Sequence, residues 1–495
     1  MREYISTRGG NEKLRSAQAI IQGLAKDRGL FVPNEIPHID LNADFTKPYK
    51  YRDIAEYVIN LFFDDFSASE IKKCVDNAYD EKFEKEEIVP GQKHCGAFFM
   101  ELYHGRTAAF KDMALSILPY LLTESMKKEK EMKKVCILTA TSGDTGKAAL
   151  EGFRDVEGTE IIVFFPENGV SEIQKRQMVS QEGKNVHVFA IKGNFDDAQT
   201  GVKKVFDDAE FNKYMNDNGY RLSSANSINV GRLIPQVAYY VYAYLKLIES
   251  SEIKNGESVN VVVPTGNFGN ILAAYYAKIM GVPFKKFICA SNENRVLTDF
   301  INTGLYDINR DFHVTNSPSM DILISSNLER LLFEISGHDG EIVKKMMDSL
   351  SSERKYEITD QMRDKIKDFY GGFATESETL DTIKRVYEDE NYMIDTHTAV
   401  AYKVYDDYRN ETGDETKTLI ASTASVYKFA SSFAEALGMN KQKDPFMYID
   451  EINDFTGENE PRALQGLRNR AVLHNDVIEK ESMKRAVRKV VAERK

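Results

Sequence analysis

The sequence predicts an α/β protein built from open, doubly wound parallel-type sheets with helices on both faces. Five short apolar runs, rich in valine and isoleucine, each end in a loop of small or polar residues, and helical segments separate them. Such near-continuous apolar runs are typical of parallel strands that are buried on both faces. The alternation of strand and helix favours a doubly wound architecture. The five runs span residues 135–140, 160–165, 186–191, 259–263 and 418–421.

Three further stretches lie outside this alternation. Residues 1–95 are mostly helical in pattern, and residues 312–390 are polar and helical, which predicts an excursion from the sheet. Near the C-terminus, Met483, Val487 and Val491 recur at helical spacing with basic residues between them. An amphipathic surface helix is the favoured interpretation of that segment, and a basic tail that binds a partner is the alternative.

The composition argues against nucleic acid, metal and membrane as binding partners. The 495 residues carry 77 acidic and 65 basic side chains, a net charge of −12, and a field of that sign repels nucleic acid. The four cysteines form no CxxC pair and the eight histidines do not cluster, so we expect no metal site and a reducing compartment. The first residues lack the apolar core of a signal peptide, and no apolar run is long enough to cross a bilayer. We therefore expect a cytoplasmic protein with no membrane partner.

Two glycine-containing loops are suited to anions. Residues 266–269 follow one predicted strand and open a helix at 270–280, and residues 141–146 repeat that layout. Backbone N–H groups at the start of a helix bind phosphate, and glycines allow the close approach. Neither loop has the P-loop or GxGxxG pattern, so a nucleotide site is not indicated. Either loop alone is more often an ordinary turn.

A lysine, an arginine and a threonine complete a candidate site. Lys111 lies among small and apolar residues, where burial would lower the pKa of its amine and favour a Schiff base. Segment 223–232 combines amides and hydroxyls with Arg232, as an anion clamp requires. Thr423 stands at the end of a predicted strand. An imine-forming lysine, a phosphate cup and a hydroxyl for the ring nitrogen are what pyridoxal phosphate needs.

The motifs as a set resemble one family. The stretch HGRTAAFKD at 104–112 resembles the HGPTxAFKD lysine motif of threonine synthases. Further segments agree with the same family in order along the chain, and they resemble its fungal and enterobacterial branch more than its plant branch. These segments are 4–9, 23–33, 141–146, 169–178, 226–232, 264–270, 395–400 and 422–424.

The resemblance implies a fold-type-II pyridoxal-phosphate enzyme, similar in fold to the tryptophan synthase β-subunit. It would convert O-phospho-L-homoserine and water into L-threonine and phosphate. It also implies an N-terminal domain over residues 1–95, a large cofactor domain over 96–125 and 231–495, and a small mobile α/β domain over 126–230. Resemblance to this branch favours a monomer and leaves a dimer open.

Residue roles follow from the same resemblance. Lys111 would bind the cofactor covalently and move protons, Thr423 would face the ring nitrogen, and Asp144 would be the polar partner of the ring oxygen. The cofactor phosphate would be held by Gly266, Asn267, Phe268, Gly269 and Asn270. The substrate carboxylate would be held by Ser142 and Thr145, and the substrate phosphate by Asn226, Ser227 and Arg232.

Two departures from the family pattern leave alternatives open. Arg106 replaces the usual proline of the lysine motif, where it would either bind substrate phosphate or lie in solvent. Residues 425–427, Ser-Val-Tyr, replace the usual His-Pro-Ala. This changed turn motivates a first alternative, a phospho-lyase that releases 2-oxobutanoate and ammonia. A second alternative is a non-catalytic relative that binds pyridoxal phosphate, although retention of Lys111 and Thr423 argues against it.

Overall fold

The computed structural model describes residues 1–41, 47–442 and 444–493. The first elements are β1 (Tyr4–Ser6), β2 (Lys13–Leu14), α1 (Ser16–Gln22), β3 (Phe31–Pro33), α2 (Tyr51–Phe62), α3 (Ala68–Ala78), β4 (Gly91–His94) and β5 (Ala97–Glu101). The middle of the chain forms α4 (Asp112–Leu115), α5 (Leu118–Lys128), β6 (Lys134–Ala140), α6 (Asp144–Phe153), β7 (Thr159–Pro166), α7 (Glu172–Val179), β8 (Val186–Lys192), α8 (Phe195–Asp207), α9 (Ala209–Asp217), β9 (Tyr220–Ser224), α10 (Val230–Glu249), β10 (Val259–Pro264), α11 (Gly269–Met280) and β11 (Phe284–Ser291). The last elements are α12 (Val296–Thr303), β12 (Leu305–Asp307), α13 (Leu328–Ile335), α14 (Gly340–Glu353), β13 (Lys355–Glu357), α15 (Asp360–Lys365), β14 (Phe369–Phe373), α16 (Glu376–Glu390), α17 (Thr396–Thr412), β15 (Thr418–Ser422), α18 (Ala430–Ala436), α19 (Pro445–Thr456), β16 (Val477–Glu479) and α20 (Met483–Glu493).

The N-terminal region contains a small sheet as well as helices. Strands β2, β1 and β3 form an antiparallel sheet in that order, and the apolar faces of α2 and α3 pack into the core beside it. The mostly helical pattern predicted for residues 1–95 missed this sheet. Its strands are two or three residues long, too short to produce a detectable alternation.

A six-stranded sheet forms the larger α/β layer, in the order β14-β11-β10-β15-β5-β4. All neighbours are parallel except β4 and β5, which form an antiparallel pair. The predicted strands at 259–263 and 418–421 are confirmed as β10 and β15. The helical excursion predicted at 312–390 is only partly correct, because β14 lies inside it and pairs with β11. Gly371 and Gly372 interrupt the apolar pattern of β14, so it does not resemble a buried strand in sequence.

A five-stranded parallel sheet forms the second α/β layer, in the order β16-β8-β7-β6-β9. It contains the three other predicted strands, each within one residue of its expected ends. The C-terminal elements belong to this sheet, because β16 pairs with β8 and the apolar face of α20 packs on α8. The predicted division, with residues 231–495 on the larger layer, is therefore wrong for residues 477–493. The amphipathic C-terminal helix itself is confirmed, and Met483, Val487 and Val491 are buried.

Both layers direct the carboxyl ends of their parallel strands toward one crevice. Strand β10 ends at Pro264, β15 at Ser422 and β6 at Ala140, and each is followed by one of the predicted site segments. Crevices outside the carboxyl ends of parallel strands are where α/β sheets bind ligands. Across the described ranges, no helix is long and apolar enough to cross a membrane.

Candidate active site

The segment that carries Lys111 is attached to the loop after β15. The N–H of Phe110 donates to the carbonyl of Thr423 at 2.8 Å, and the N–H of Ser425 donates to the carbonyl of Ala108 at 3.1 Å. Ala108 adopts a left-handed conformation with φ of 56°. These contacts bring Lys111 and Thr423, two predicted cofactor residues, to the same place.

The amine of Lys111 lies in a polar pocket inside the crevice. Its Nζ donates to the Ser319 hydroxyl at 3.0 Å and lies 3.7 Å from Oδ2 of Asp144. The side chain is only 11% exposed. Burial lowers the pKa of Lys111 to about 8, although the Asp144 carboxylate opposes the shift; Lys428 and Arg232 add to it. The neutral amine that a Schiff base requires is therefore accessible near neutral pH.

Asp144 joins two lysines. Its Oδ1 lies 2.5 Å from Nζ of the fully buried Lys428 and accepts a hydrogen bond from Gln174 at 2.9 Å. Burial alone would raise the pKa of this carboxyl, but the ammonium groups of Lys428 and Lys111 hold it well below its usual range. Asp144 is thus an ionised counter-ion at the centre of the site, and its expected contact with the ring oxygen stays a prediction.

The loop between β10 and α11 forms an open helix N-terminus. Phe268, the residue before the helix, has φ of 61° and makes no side-chain hydrogen bond that would cap the first turn of α11. The first N–H groups of a helix have no partner inside it, so they are available to an anion. Gly266 has no room for a side chain, because a Cβ there would lie 2.5 Å from the carbonyl oxygen of Ser319. Ser319 therefore links this loop to Lys111.

Two residues of the predicted phosphate cup direct their side chains elsewhere. Asn270 accepts hydrogen bonds at Oδ1 from Tyr239 and Tyr240, and its buried Nδ2 has no partner among the described residues. The side chain of Asn267 is exposed and accepts from Ser326 at 3.3 Å. Any contribution of these two residues to a phosphate cup would come mainly from the backbone.

Arg232 is a buried cation without a carboxylate partner in the described part of the chain. Its Nη1 donates to the carbonyl of Ala225 at 2.8 Å, whereas its buried Nε has no partner there. Burial lowers the pKa of Arg232 to about 10. The half-buried Asn226 and Ser227 lie in the loop that its guanidinium contacts. An unpaired buried guanidinium beside amides and hydroxyls is suited to a phosphate or carboxylate.

The loop at 141–146 is held in shape by its own first residue. The hydroxyl of Thr141 accepts hydrogen bonds from the N–H groups of Gly143 at 2.9 Å and Gly146 at 2.8 Å. Ser142 and Thr145 are half-buried and flank Asp144 at the start of α6. The structure thus brings the predicted carboxylate-binding residues next to Asp144, which pairs with Lys111 and Lys428.

Three site residues were not assigned a role from sequence. Gln174 lies in the family-like segment 169–178 and Lys428 directly follows the changed turn at 425–427, but their contacts with Asp144 link elements far apart in the chain. Ser319 lies 208 residues from Lys111, in the stretch predicted as a polar excursion, and no local motif marks it.

Of the two departures from the family pattern, Arg106 lies at the surface, whereas the changed turn at 425–427 lies next to the site. Arg106 points to Glu151, with 3.2 Å between Nη1 and Oε1, and 42% of its side chain is exposed. This geometry matches the solvent interpretation of Arg106 rather than substrate binding. Residues Val426–Phe429 form a short 3-10 helix that directs Lys428 to Asp144, so the changed turn still supplies an ion-pair partner.

Comparisons with known proteins agree with this arrangement. A family model described as threonine synthase N terminus matches residues 3–79, and one described as pyridoxal-phosphate dependent enzyme matches residues 88–423. The threonine synthase of Schizosaccharomyces pombe is 37% identical over 466 residues, 88% of this chain and 89% of that protein. The chain belongs to the threonine synthase family.

Solved threonine synthase structures share its fold. The PLP-bound enzyme from Brucella melitensis has a TM-score of 0.87 and 34% identity, and it is covered to 99%, as is this chain. The yeast enzyme has a TM-score of 0.87 and 32% identity. The threonine synthase-like 1 protein of Pongo abelii is 40% identical over 455 residues, 88% of this chain but 60% of that protein. The chain thus spans about 60% of the length of that curated relative.

The cofactor of this threonine synthase family is pyridoxal phosphate, and the residues present fit it. The N-terminus of α11 has no side-chain cap and offers N–H groups for a phosphate ester. The lowered pKa of Lys111 suits attachment of the aldehyde. The fold class and the cofactor predicted from sequence are therefore confirmed, whereas the roles of individual residues remain predictions.

Proposed function

We propose that the chain is a threonine synthase that converts O-phospho-L-homoserine and water into L-threonine and phosphate. One observation carries the proposal: the Lys111 amine lies within reach of Asp144, in a crevice that also holds an uncapped helix N-terminus and the unpaired Arg232. These are two anion sites and one base, as a phosphorylated substrate and a phosphorylated cofactor require. Similarity to enzymes named threonine synthase over most of their length supports it.

Each anion would have its own site. The N–H groups at the start of α11, with Gly266 and Gly269 in the preceding loop, would hold the cofactor phosphate, and Thr423 would meet the ring nitrogen. Bound there, pyridoxal phosphate would supply an electron sink for the carbon acid of the substrate. Ser142 and Thr145, at the N-terminus of α6, would hold the substrate carboxylate.

Lys111 would be the main proton carrier. Its Nζ would take the proton from Cα of the substrate and return protons to carbon later. A base works best when its pKa lies near the operating pH, and a pKa of about 8 meets that condition. Asp144 would keep the released amine close by attraction without competing for the proton, because its own pKa is held far lower.

Arg232 would assist departure of the substrate phosphate. The Nε of this buried guanidinium has no partner among the described residues, so it would donate to phosphate oxygens without first losing a carboxylate partner. Negative charge grows on the phosphate as the bond between Cγ and oxygen breaks, so the interaction strengthens in the transition state. Asn226 and Ser227 would add polar contacts to the same phosphate.

The site is expected to work within a protein of the cytoplasm that is monomeric and binds neither nucleic acid nor membrane. The acidic net charge and the absence of disulfides among the described cysteines support this expectation. The small domain, residues 126–230 together with the C-terminal β16 and α20, would move onto the substrate and bring Ser142 and Thr145 to it.

A phospho-lyase is the second candidate. The Ser-Val-Tyr turn at 425–427 packs against the lysine segment, and displaced water there would end the reaction at 2-oxobutanoate and ammonia. Similarity to the threonine synthase-like 1 proteins, which share 40% identity, is compatible with either reaction. The turn is the observation that keeps this candidate open.

Product analysis decides between the candidates. Purified protein would be incubated with O-phospho-L-homoserine and pyridoxal phosphate, and threonine, 2-oxobutanoate and phosphate would be quantified together. We expect threonine and phosphate in equal amounts, and no turnover by a folded Lys111→Ala variant. Equal amounts of 2-oxobutanoate and phosphate would identify the lyase. Bound cofactor without phosphate release would leave a non-catalytic relative.

A further inference from the structure

The amine of Lys111 contacts the hydroxyl of Ser319, which also contacts Asp144. Ser319 Oγ accepts a hydrogen bond from Lys111 Nζ at 3.0 Å and donates one to Asp144 Oδ2 at 3.2 Å. Because the Ser319 hydroxyl donates its proton to the Asp144 carboxylate, the lone pairs of its oxygen can accept from the Lys111 ammonium. Ser319 therefore completes a triangle with Lys111 and Asp144 and holds Nζ at a defined place.

The backbone of Ser319 is held by a buried dyad on α17. Its N–H donates to His397 Nε2 at 3.2 Å, and His397 Nδ1 lies 2.6 Å from Asp395 Oδ2. Asp395 is fully buried and caps α17 by accepting from the N–H of Thr398 at 3.1 Å. This arrangement fixes the ring so that Nδ1 donates and Nε2 accepts.

The same loop also contacts the cofactor-phosphate loop. The carbonyl oxygen of Ser319 occupies the space next to Gly266, 2.5 Å from where a Cβ would be. The hydroxyl of Ser325, further along the loop, donates to the carbonyl of Gly266 at 2.7 Å. Ser319 is thus positioned relative to both the lysine and the place where the cofactor phosphate would bind.

We propose that Ser319, held by His397 and Asp395, is the resting position of the Lys111 amine whenever that amine is not bonded to the cofactor. The inference rests on the role proposed above for Lys111. A released lysine is long and flexible, and fixing its nitrogen near the reacting carbon removes an entropic cost from each proton transfer. Ser319 contacts the reacting nitrogen, whereas His397 and Asp395 act through Ser319 and are positioning residues.

The charged groups that face Lys111 set the direction of the expected effects. Asp144 on α6 favours the ammonium, while Lys428 after β15 and Arg232 on α10 disfavour it. The Ser319 hydroxyl accepts from the ammonium and so stabilises the charged form. Removal of that hydroxyl should lower the pKa of Lys111 further.

Competitive labelling of the cofactor-free full chain measures this directly. Trace acetic anhydride would be applied over a range of pH, and mass spectrometry would report acetylation of Lys111 relative to exposed lysines. We expect Ser319→Ala to lower the apparent pKa of Lys111 by about one pH unit, the size of one hydrogen bond to a charged group. Ser319→Thr should restore the wild-type value, and His397→Ala should shift it in the same direction as Ser319→Ala.

Controls separate failure of this proposal from failure of the proposed function. Ser352→Ala removes an exposed hydroxyl on α14 and should leave the pKa of Lys111 unchanged. The resting position would be overturned if Lys111 kept its wild-type pKa in both Ser319→Ala and His397→Ala while Asp144→Asn lowered it. That result would leave the proposed function untouched. Adding pyridoxal phosphate to wild-type protein should protect Lys111 from acetylation, and protection of a different lysine would overturn the role of Lys111 itself.

Discussion

At the residue scale, the site depends on an imbalance of buried charge. Lys111 and Lys428 share one carboxylate, Asp144, and Arg232 has none within the described ranges. Buried cations that outnumber their counter-ions are costly unless an anion arrives. The crevice is therefore prepared for anionic ligands, although the chain as a whole carries a net charge of −12.

Two arginines near the lysine should respond differently to substitution. Arg232→Ala removes a buried donor with a free Nε, and we expect kcat/KM for O-phospho-L-homoserine to fall about a hundredfold, the loss of one strong charge-assisted contact. Arg106→Ala breaks only an exposed pair with Glu151, and its kcat/KM should stay within about twofold of wild type. Steady-state kinetics of both variants would refute the assignment if Arg106→Ala were the more damaging.

Substitution of Lys428 should shift the pKa of Lys111 in the opposite direction to Ser319→Ala. Its ammonium lowers the pKa of Lys111, and it also occupies one oxygen of Asp144. Lys428→Met should therefore raise the pKa of Lys111 in the cofactor-free protein by about one pH unit. Competitive acetylation gives this value, and an unchanged or lowered pKa would show that Lys428 does not tune the amine.

At the element scale, the loops after β6, β10 and β15 converge because parallel strands end on one side of each sheet. This part of the architecture follows from sequence, since the buried parallel strands are continuous apolar runs and the motifs come directly after them. Ser319 could not be predicted in this way, because its contact with Lys111 spans 208 residues and depends on the course of a polar segment. Strand β14 was missed for a related reason, since its two glycines are explained only by close packing on α12 and α17.

Substitution of Gly266 tests the role proposed for the loop between β10 and α11. A Cβ there would lie 2.5 Å from the Ser319 carbonyl oxygen, so Gly266→Ala must displace the loop between β10 and α11 or the Ser319 segment. Overpacking of this kind costs about 1–3 kcal/mol, and we expect the cofactor Kd to rise at least about tenfold. Gly91→Ala, where a Cβ meets nothing within 4 Å, is the matched control. Equal cofactor affinity in both variants by absorbance titration would contradict the proposed loop role.

At the scale of the whole molecule, the C-terminal segment connects the two sheets. The chain leaves the larger layer after α19 and passes to the smaller one, where β16 adds to the edge of β8 and α20 covers α8. The sequence indicated the amphipathic helix but not its partner, because an apolar face does not specify the surface it packs on.

Substitution of Val487 tests whether α20 stabilises the smaller sheet. The side chain is fully buried on the apolar face of α20, so Val487→Asp places a carboxylate in an apolar interface and should lower the free energy of unfolding by more than about 3 kcal/mol. Val472→Asp, at a position that is 49% exposed, should change it by no more than about 0.5 kcal/mol. Urea unfolding of both variants provides the comparison, and equal stabilities would mean that α20 does not hold the small sheet.

Loss of phosphate by elimination, followed by addition of water at Cβ, can be followed in water enriched with heavy oxygen. Elimination breaks the bond between Cγ and oxygen, so the released phosphate should carry no label and the threonine hydroxyl should carry one labelled oxygen. Mass spectrometry of both products after incubation with O-phospho-L-homoserine reports the two labels together. Labelled phosphate with unlabelled homoserine would indicate simple phosphate hydrolysis and would contradict the account.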